Sequence, residues 1–335
     1  MKTTLRYLIS LSLAGAFLYW AFRGIDLASV WVATQTASPT WLVIIVATTL
    51  CTVAIRAWRW VILLKGVTRD VTVADATTAL AICYTANIAF PRAGEAARAL
   101  SLNWQRGVSV SATLGTVVVE RILDMVFLLF FVGMSLALIP GRLEAAYPLL
   151  ISGALVALLM SGVAILLLVF VCARGEEGVQ LVHRWLSRAL PGRIADLAAD
   201  ILRKFVTGLA SVRGQGAYLK ILASSLLLNA GYVLIIYESL HAFGLHLPPY
   251  DLGVAGSIVV MAISSIGVVM PIQGGIGTYH FFFANTLEVL YHVDAATALA
   301  CATVVHALAN ATYLAIGIPA LLIQRARVSR KAKNS

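Results

Sequence analysis

The sequence predicts an all-α polytopic integral membrane protein, with about six spanning helices and two broken, re-entrant helical hairpins arranged as an inverted repeat. Three observations predict it. Hydrophobic residues make up 60% of the chain and charged residues only 12%, where a soluble domain carries about 25% charge. Apolar runs able to cross about 30 Å of hydrocarbon recur from end to end. Two further apolar regions, 73–108 and 251–291, are interrupted by Pro91 and by Pro271 with Gly274, Gly275 and Gly277, residues that break the helical hydrogen-bond ladder.

The first span is expected over 5–22. Lys2 and Arg6 precede an apolar run, but the A-x-A-like site Ala14-Gly15-Ala16 lies inside a run that continues through Phe17 and Trp20, so the segment reads as an uncleaved span. A second span covers 41–64, and Arg56, Trp58, Arg59 and Trp60 near its far end are expected at a membrane interface. Region 73–108 follows. The limb after Pro91 carries Arg92, Glu95, Arg98, Asn103 and Arg106, too polar to face lipid, so this region reads as a hairpin that enters and returns beside protein or a water-filled cavity. A third span over 111–139 contains Glu120, Arg121 and Asp124. Ionisable groups at that depth need partners or water. A fourth span is expected over 147–172.

The 173–217 loop repeats Ile194, Leu197, Ile201, Phe205 and Leu209 opposite Asp196, Asp200, Arg203 and Lys204, the pattern of an amphipathic helix on the inner membrane face. A Pro191-Gly192 break separates it from a shorter helix containing Trp185. Spans over 218–243 and 295–323 complete the set. Region 251–291 is open to two readings, a re-entrant hairpin or two crossings, because 252–270 is long enough to span. The chain reads as one transmembrane domain over 1–325 with a basic tail over 326–335.

Orientation follows from Lys and Arg. The net charge is +10, and the cations gather after the second span, in the 173–217 loop and in the tail. The 244–250 connection has none. Cytoplasmic loops and anionic lipid explain this basicity without nucleic acid. The expected location is the cytoplasmic (inner) membrane, with both termini cytoplasmic. Cys51, Cys83, Cys172 and Cys301 are scattered singly in apolar segments, without metal-ligand spacing, so no metal and no cofactor is expected. Nucleotide-loop, His-Glu-x-x-His and Gly-x-Ser-x-Gly motifs are absent from the sequence, and nothing indicates use of ATP.

The two broken regions share a short pattern. Pro91-x-x-Gly94-Glu95 matches Pro271-x-x-Gly274-Gly275, with Thr116-Val117-Val118 and Thr303-Val304-Val305 downstream. In the predicted topology they begin on opposite faces, as in inverted-repeat transporters whose site lies near the midplane. The candidate headgroup path is Arg92, Glu95, Arg98, Glu120, Arg121, Asp124, Gln273, Gly274, Gly275, Tyr279 and His280. Arg92 and Arg98 suit a phosphate through forked hydrogen bonds, or snorkel to a headgroup layer. Glu120 and Asp124, four apart with Arg121 between them, either serve the path or lock the bundle. The Gly-rich turn offers amides to an anion, and His306, with Asn310 one turn away, is a candidate proton carrier.

Arg56-x-x-Arg59-Trp60, Pro91-Arg92-x-Gly94-Glu95-x-x-Arg98, Glu120-Arg121-x-x-Asp124 and Pro271-x-Gln273-Gly274-Gly275-Ile276-Gly277 resemble the flippase-like transmembrane family. That family includes the membrane region of bacterial lysylphosphatidylglycerol synthase/flippase, the multiple peptide resistance factor. The resemblance covers roughly 5–325 and implies a lipid translocase without the soluble aminoacyltransferase domain. Many members carry Glu after the second Gly-rich turn, where this chain has Tyr279-His280. The expected function is movement of a polar-headed phospholipid or lipid-linked intermediate. The expected partners are membrane lipids, anionic or phosphate-containing, and a separate lipid-modifying enzyme. The alternatives are an intramembrane transferase using Glu95, Glu120 or Asp124 as base, and a non-catalytic membrane partner of such an enzyme.

Overall fold

The computed structural model describes residues 21–68, 70–90, 93–139, 174–189, 191–196, 215–270 and 272–334, with short pieces at 12, 15–19, 170–171, 199–200 and 203. Most of the expected spans 147–172 and 5–22, together with Pro91, Arg92 and Pro271, lie outside these residues. So does much of the predicted 194–209 helix. Every regular element among the described residues is helical.

The order is α1 (Leu27–Gln35), α2 (Pro39–Leu64), α3 (Val73–Ala89), α4 (Gly94–Arg106), α5 (Val110–Leu138), α6 (Glu176–Ala189), α7 (Gln215–Ala242), α8 (Val254–Val269), a single 3₁₀ turn (Gln273–Gly275), α9 (Thr278–Tyr291) and α10 (Ala295–Asn334). Among the described residues, three helical stretches are long and apolar enough to cross a membrane: Pro39–Leu64, Tyr218–Ala242 and Ala295–Arg327. The shorter Val254–Val269 is also apolar. Helix α5 is 29 residues long, about 44 Å at 1.5 Å per residue, and carries Glu120, Arg121 and Asp124 in its middle. Sequence reading did not anticipate α1, whose N-cap Asp26 accepts from the Ala28 and Ser29 amides.

Helices α2 and α7 form a long antiparallel pair. The Ser38 amide donates to the Ala242 carbonyl, so the start of α2 meets the end of α7. Close approach is possible because Gly231 faces Thr52, whose methyl would lie 2.6 Å from any added Cβ. Helices α3 and α4 pack against each other as the two limbs of a hairpin, as do α8 and α9. A Thr72–Asp75 capping box starts α3, and Gly107 at φ 70° ends α4, a left-handed cap that glycine adopts without steric cost. Helix α10 lies along α3, with Tyr84 stacked on Tyr313 at 4.3 Å.

Two larger apolar cores and two small clusters result among the described residues. One joins the ends of α2 and α7 to α3 and α4 through Trp60, Leu63, Leu80 and Leu102. The other unites α7, α8, α9 and α10 around Leu240, Met261, Phe283 and Leu299. Between them lies a band of buried charge.

Candidate functional site

Four helices build the charged band. Helix α2 supplies Arg56 and Arg59, one turn apart. Helix α5 supplies Glu120 and Asp124, also one turn apart, which matches the spacing of the guanidiniums. Helix α4 supplies Arg98, and α7 supplies Ser225 and Tyr232. Arg56 Nη1 donates to Glu120 Oε1 at 2.7 Å, and its Nη2 to Asp124 Oδ2 at 3.2 Å and to the Tyr232 hydroxyl at 2.9 Å. Arg59 Nη2 donates to Asp124 Oδ1 at 2.6 Å, and its Nη1 to Ser225 Oγ at 3.3 Å. Arg98 Nη1 donates to Glu120 Oε2 at 2.9 Å. Arg59, Arg98 and Glu120 are each 0% exposed.

Among the described residues, three buried guanidiniums thus face two carboxylates, a surplus of one positive charge. At the rim Arg121 lies 3.7 Å from Glu95 and 3.6 Å from Asp124, adding one charge of each sign. Arg98 lies with its guanidinium carbon 4.8 Å from the Trp60 ring centroid, a cation–π contact strengthened by exclusion of water. The Trp60 indole N–H donates to Thr116 Oγ1 at 3.0 Å. Arg98 Nε and Nη2, both buried, have no hydrogen-bond partner among the described residues. These two atoms form one edge of the guanidinium fork, the edge that takes a carboxylate or phosphate bidentately.

Arg56, Arg59 and Trp60 therefore do not sit at an interface, as their position near the end of a span suggested. They are buried, and only Trp58 of that group is exposed. Opposite charge on α5 draws both arginines inward, because a solvated headgroup cannot compete with two carboxylates one helix away. Eight residues separate Arg56 from the end of α2, so the band lies about 12 Å inside that end.

The second broken element follows a different logic. Gly274, Gly275 and Gly277 all have positive φ (58°, 71° and 87°), the region where glycine is favoured. The Gly275 amide donates to the Ile272 carbonyl and the Gly277 amide to His280 Nδ1, so both amides are engaged within the turn and not turned to an anion. His306 Nε2 donates to the Gly274 carbonyl at 2.9 Å, and Asn310 Nδ2 lies 3.3 Å from the same ring nitrogen. Tyr279 stacks on His306 at 4.9 Å, and His280 meets it edge-on at 4.9 Å. The backbone of Gln273 is in the turn; its side chain lies outside the described residues.

The two elements meet. Helix α3 contacts the Gln273–Gly275 turn. Phenols occupy the ground between band and turn: Tyr84 and Tyr232 lie within electrostatic reach of Arg56, and Tyr313 within reach of Arg56 and Tyr279. Sequence reading missed Arg56, Arg59, Ser225, Tyr232 and the tyrosine bridge. Two signals were available: the repeat of Arg at i, i+3 facing carboxylates at i, i+4 on another apolar helix, and Arg56-x-x-Arg59-Trp60 among the motifs of the family resemblance. Among the described residues no group of three or more His, Cys, Asp or Glu is placed to hold a metal ion. A shallow dent lined by Asp26 and Asp294 is accounted for by helix capping, since the Thr297 amide donates to Asp294.

The family described as the lysylphosphatidylglycerol synthase TM region matches residues 7–317. Glycosyltransferase AglD of Haloferax volcanii is 27% identical over 267 residues, which is 73% of this chain and 43% of that protein. The chain thus spans less than half the length of this relative.

Proposed function

Because this chain belongs to the lysylphosphatidylglycerol synthase transmembrane-region family, we propose that it is a lipid translocase, moving the headgroup of an anionic or phosphate-containing lipid past the charged band. The observation that carries the reading is the unpaired Nε–Nη2 edge of Arg98 within a cluster holding one surplus positive charge. A buried cation without a full set of acceptors is costly. A lipid phosphate arriving there satisfies both the charge and the fork. Glu120 and Asp124 hold Arg56, Arg59 and Arg98 in place, and Glu95 with Arg121 forms the entrance. Arg92, next to the hairpin break, is the second phosphate ligand of the proposal.

The meeting of α3 with the Gln273–Gly275 turn supports the inverted-repeat arrangement, in which the headgroup passes between two broken elements. Tyr279, His280 and His306 form the far side of the path, with tyrosine hydroxyls between. His306 lies eleven residues into α10, about 17 Å from its start, which supports a path running inside the bundle. The cytoplasmic side is the basic end, where the structure gathers Lys65, Arg106, Lys220 and Arg325.

A second reading rests on the relative named a glycosyltransferase: the lipid is sugar-bearing, and the chain acts on it or serves a separate transferase. The deciding experiment reconstitutes the full chain in liposomes with fluorescent phosphatidylglycerol, its lysyl derivative and a polyprenyl-phosphate sugar. Arg98→Lys keeps the charge and loses the planar fork. The expected result is normal insertion with movement of one lipid slowed at least tenfold. Wild-type rates in Arg98→Lys at matched protein would overturn the phosphate role.

A further inference from the structure

Glu238 belongs to no part of the path described above. It lies four residues before the end of α7, in the seam with α2, and is 2% exposed. The Thr48 hydroxyl donates to its Oε1 at 2.7 Å. Its Oε2 is buried and has no hydrogen-bond partner among the described residues. No Lys, Arg or His within 4 Å pairs with it among those residues, in contrast to Glu120 and Asp124, each of which has at least two guanidiniums.

Among the described residues the surroundings supply no counter-charge. Helix α8, which packs on α7, contains no ionisable side chain. From α2 the nearest cation is Arg56, eight residues beyond Thr48 and so about 12 Å deeper along the helix, and it is committed to Glu120, Asp124 and Tyr232. Cys51 of α2 is exposed. The α5 carboxylates and Arg121 lie with Arg56. From α10, Cys301 reaches the backbone carbonyl of Ser239 with its thiol. On the other side, one turn along α7, His241 stacks with His246 of the following loop at 3.9 Å and 9°. His241 Nδ1 donates to the Tyr237 carbonyl at 2.9 Å, and the ring is flanked by Trp41 and Tyr237.

We propose that Glu238 and Thr48 form a proton-binding site, in which the carboxyl is held neutral and exchanges its proton through the end of the bundle bearing His241 and His246. An ionised carboxylate cannot be left in a dry seam with one hydroxyl for company, because the loss of hydration far exceeds one hydrogen bond. Protonation removes that cost. An alkali cation is not an alternative occupant of equal standing: Oε2 and the Thr48 hydroxyl are too few oxygens to replace its hydration shell. The two imidazoles supply ring nitrogens able to accept and donate a proton. His246 Nδ1 is buried and without a partner among the described residues, an open position on that relay.

Resting on the translocase reading, the site gives the transport cycle a coupling ion: a proton carried on Glu238 balances the charge of an anionic headgroup. The proton site itself is tested without any lipid movement. Infrared spectra of the full chain in lipid nanodiscs at neutral pH should show the C=O stretch of a protonated carboxyl, shifting on transfer to D2O. The band should vanish in Glu238→Gln, an isosteric change, and its deuterium shift should slow several-fold in His241→Phe with His246→Phe. A wild-type spectrum without the band, or the same band in Glu238→Gln, would overturn the site. Unchanged exchange in the double histidine variant would overturn the route. In liposomes, an imposed pH difference should then alter labelled-lipid movement in wild type and not in Glu238→Gln. An equal response in both would overturn the coupling, whereas absence of any lipid movement would count against the translocase reading alone.

Discussion

Glu120 accepts from two arginines on two different helices and is wholly buried, so it ties α2 to α4 through α5. Glu120→Gln would leave three guanidiniums facing one carboxylate. Removing one partner from a buried ionic network costs about 3–5 kcal/mol, and the expected outcome is a marked fall in Tm of the purified protein. Asp124→Asn should cost less, because Asp124 retains 20% side-chain exposure and water can take up part of the loss. Equal Tm values for the two variants would argue that the band is hydrated throughout. At this scale the sequence disclosed Arg98, Glu120 and Asp124, because charge inside an apolar stretch demands a partner. It disguised Arg56 and Arg59, because two arginines beside two tryptophans near a span end look the same whether they snorkel outward or turn inward. Only the position of α5, a tertiary fact, separates the two. Glu238 was overlooked for a related reason: one carboxyl near a helix end looks solvated until its neighbours are placed.

Helices here are held at close range by glycine and by polar caps. Gly317 of α10 lies against Thr85 of α3, so tightly that an added Cβ would overlap the Thr85 hydroxyl. Gly317→Ala must push α10 off α3 and disturb the Tyr84–Tyr313 stack, and a destabilisation of about 1–3 kcal/mol is expected. Gly115→Ala in α5 meets no atom within 4 Å and should leave stability unchanged or slightly raised. Thermal unfolding of the two variants checks the contrast. At the start of α3, burial pushes the Asp75 carboxyl up, but hydrogen bonds from Thr72 and the Arg106 guanidinium outweigh it and leave the group below its ordinary value. A carboxylate lowered in the folded state stabilises above the unfolded value, and that stability is lost as pH falls through the folded value. Asp75→Asn should therefore lower Tm at neutral pH, with the difference closing in acid. The broken hairpins were legible as elements because Pro91 and the Gly274–Gly277 run interrupt apolar stretches. That the second turn engages its own amides was not, since that depends on φ values and on His280 folding back.

The molecule as a whole has two unlike ends. Lys65, Arg106, Lys220 and Arg325 gather at one, while the other carries Asp26, Asp294 and the His241–His246 stack. Sequence reading reached the same polarity while counting Arg56 and Arg59 among the interfacial cations. It survives their removal because α2 and α7 run antiparallel, with the Ser38 amide on the Ala242 carbonyl, which brings Lys65 and Lys220 to the same end without them. Basic loops are retained on the cytoplasmic side during insertion, so the basic end is expected inside. Leu247, exposed in the loop after α7, and Ser187, exposed on α6, test this from opposite faces. With native cysteines replaced by serine or alanine, Leu247→Cys should react with an impermeant thiol reagent in intact cells. Ser187→Cys should react only after the membrane is opened. The reverse pattern would invert the bundle and place the His241–His246 end in the cytoplasm, so that the proton on Glu238 would exchange with the inside of the cell.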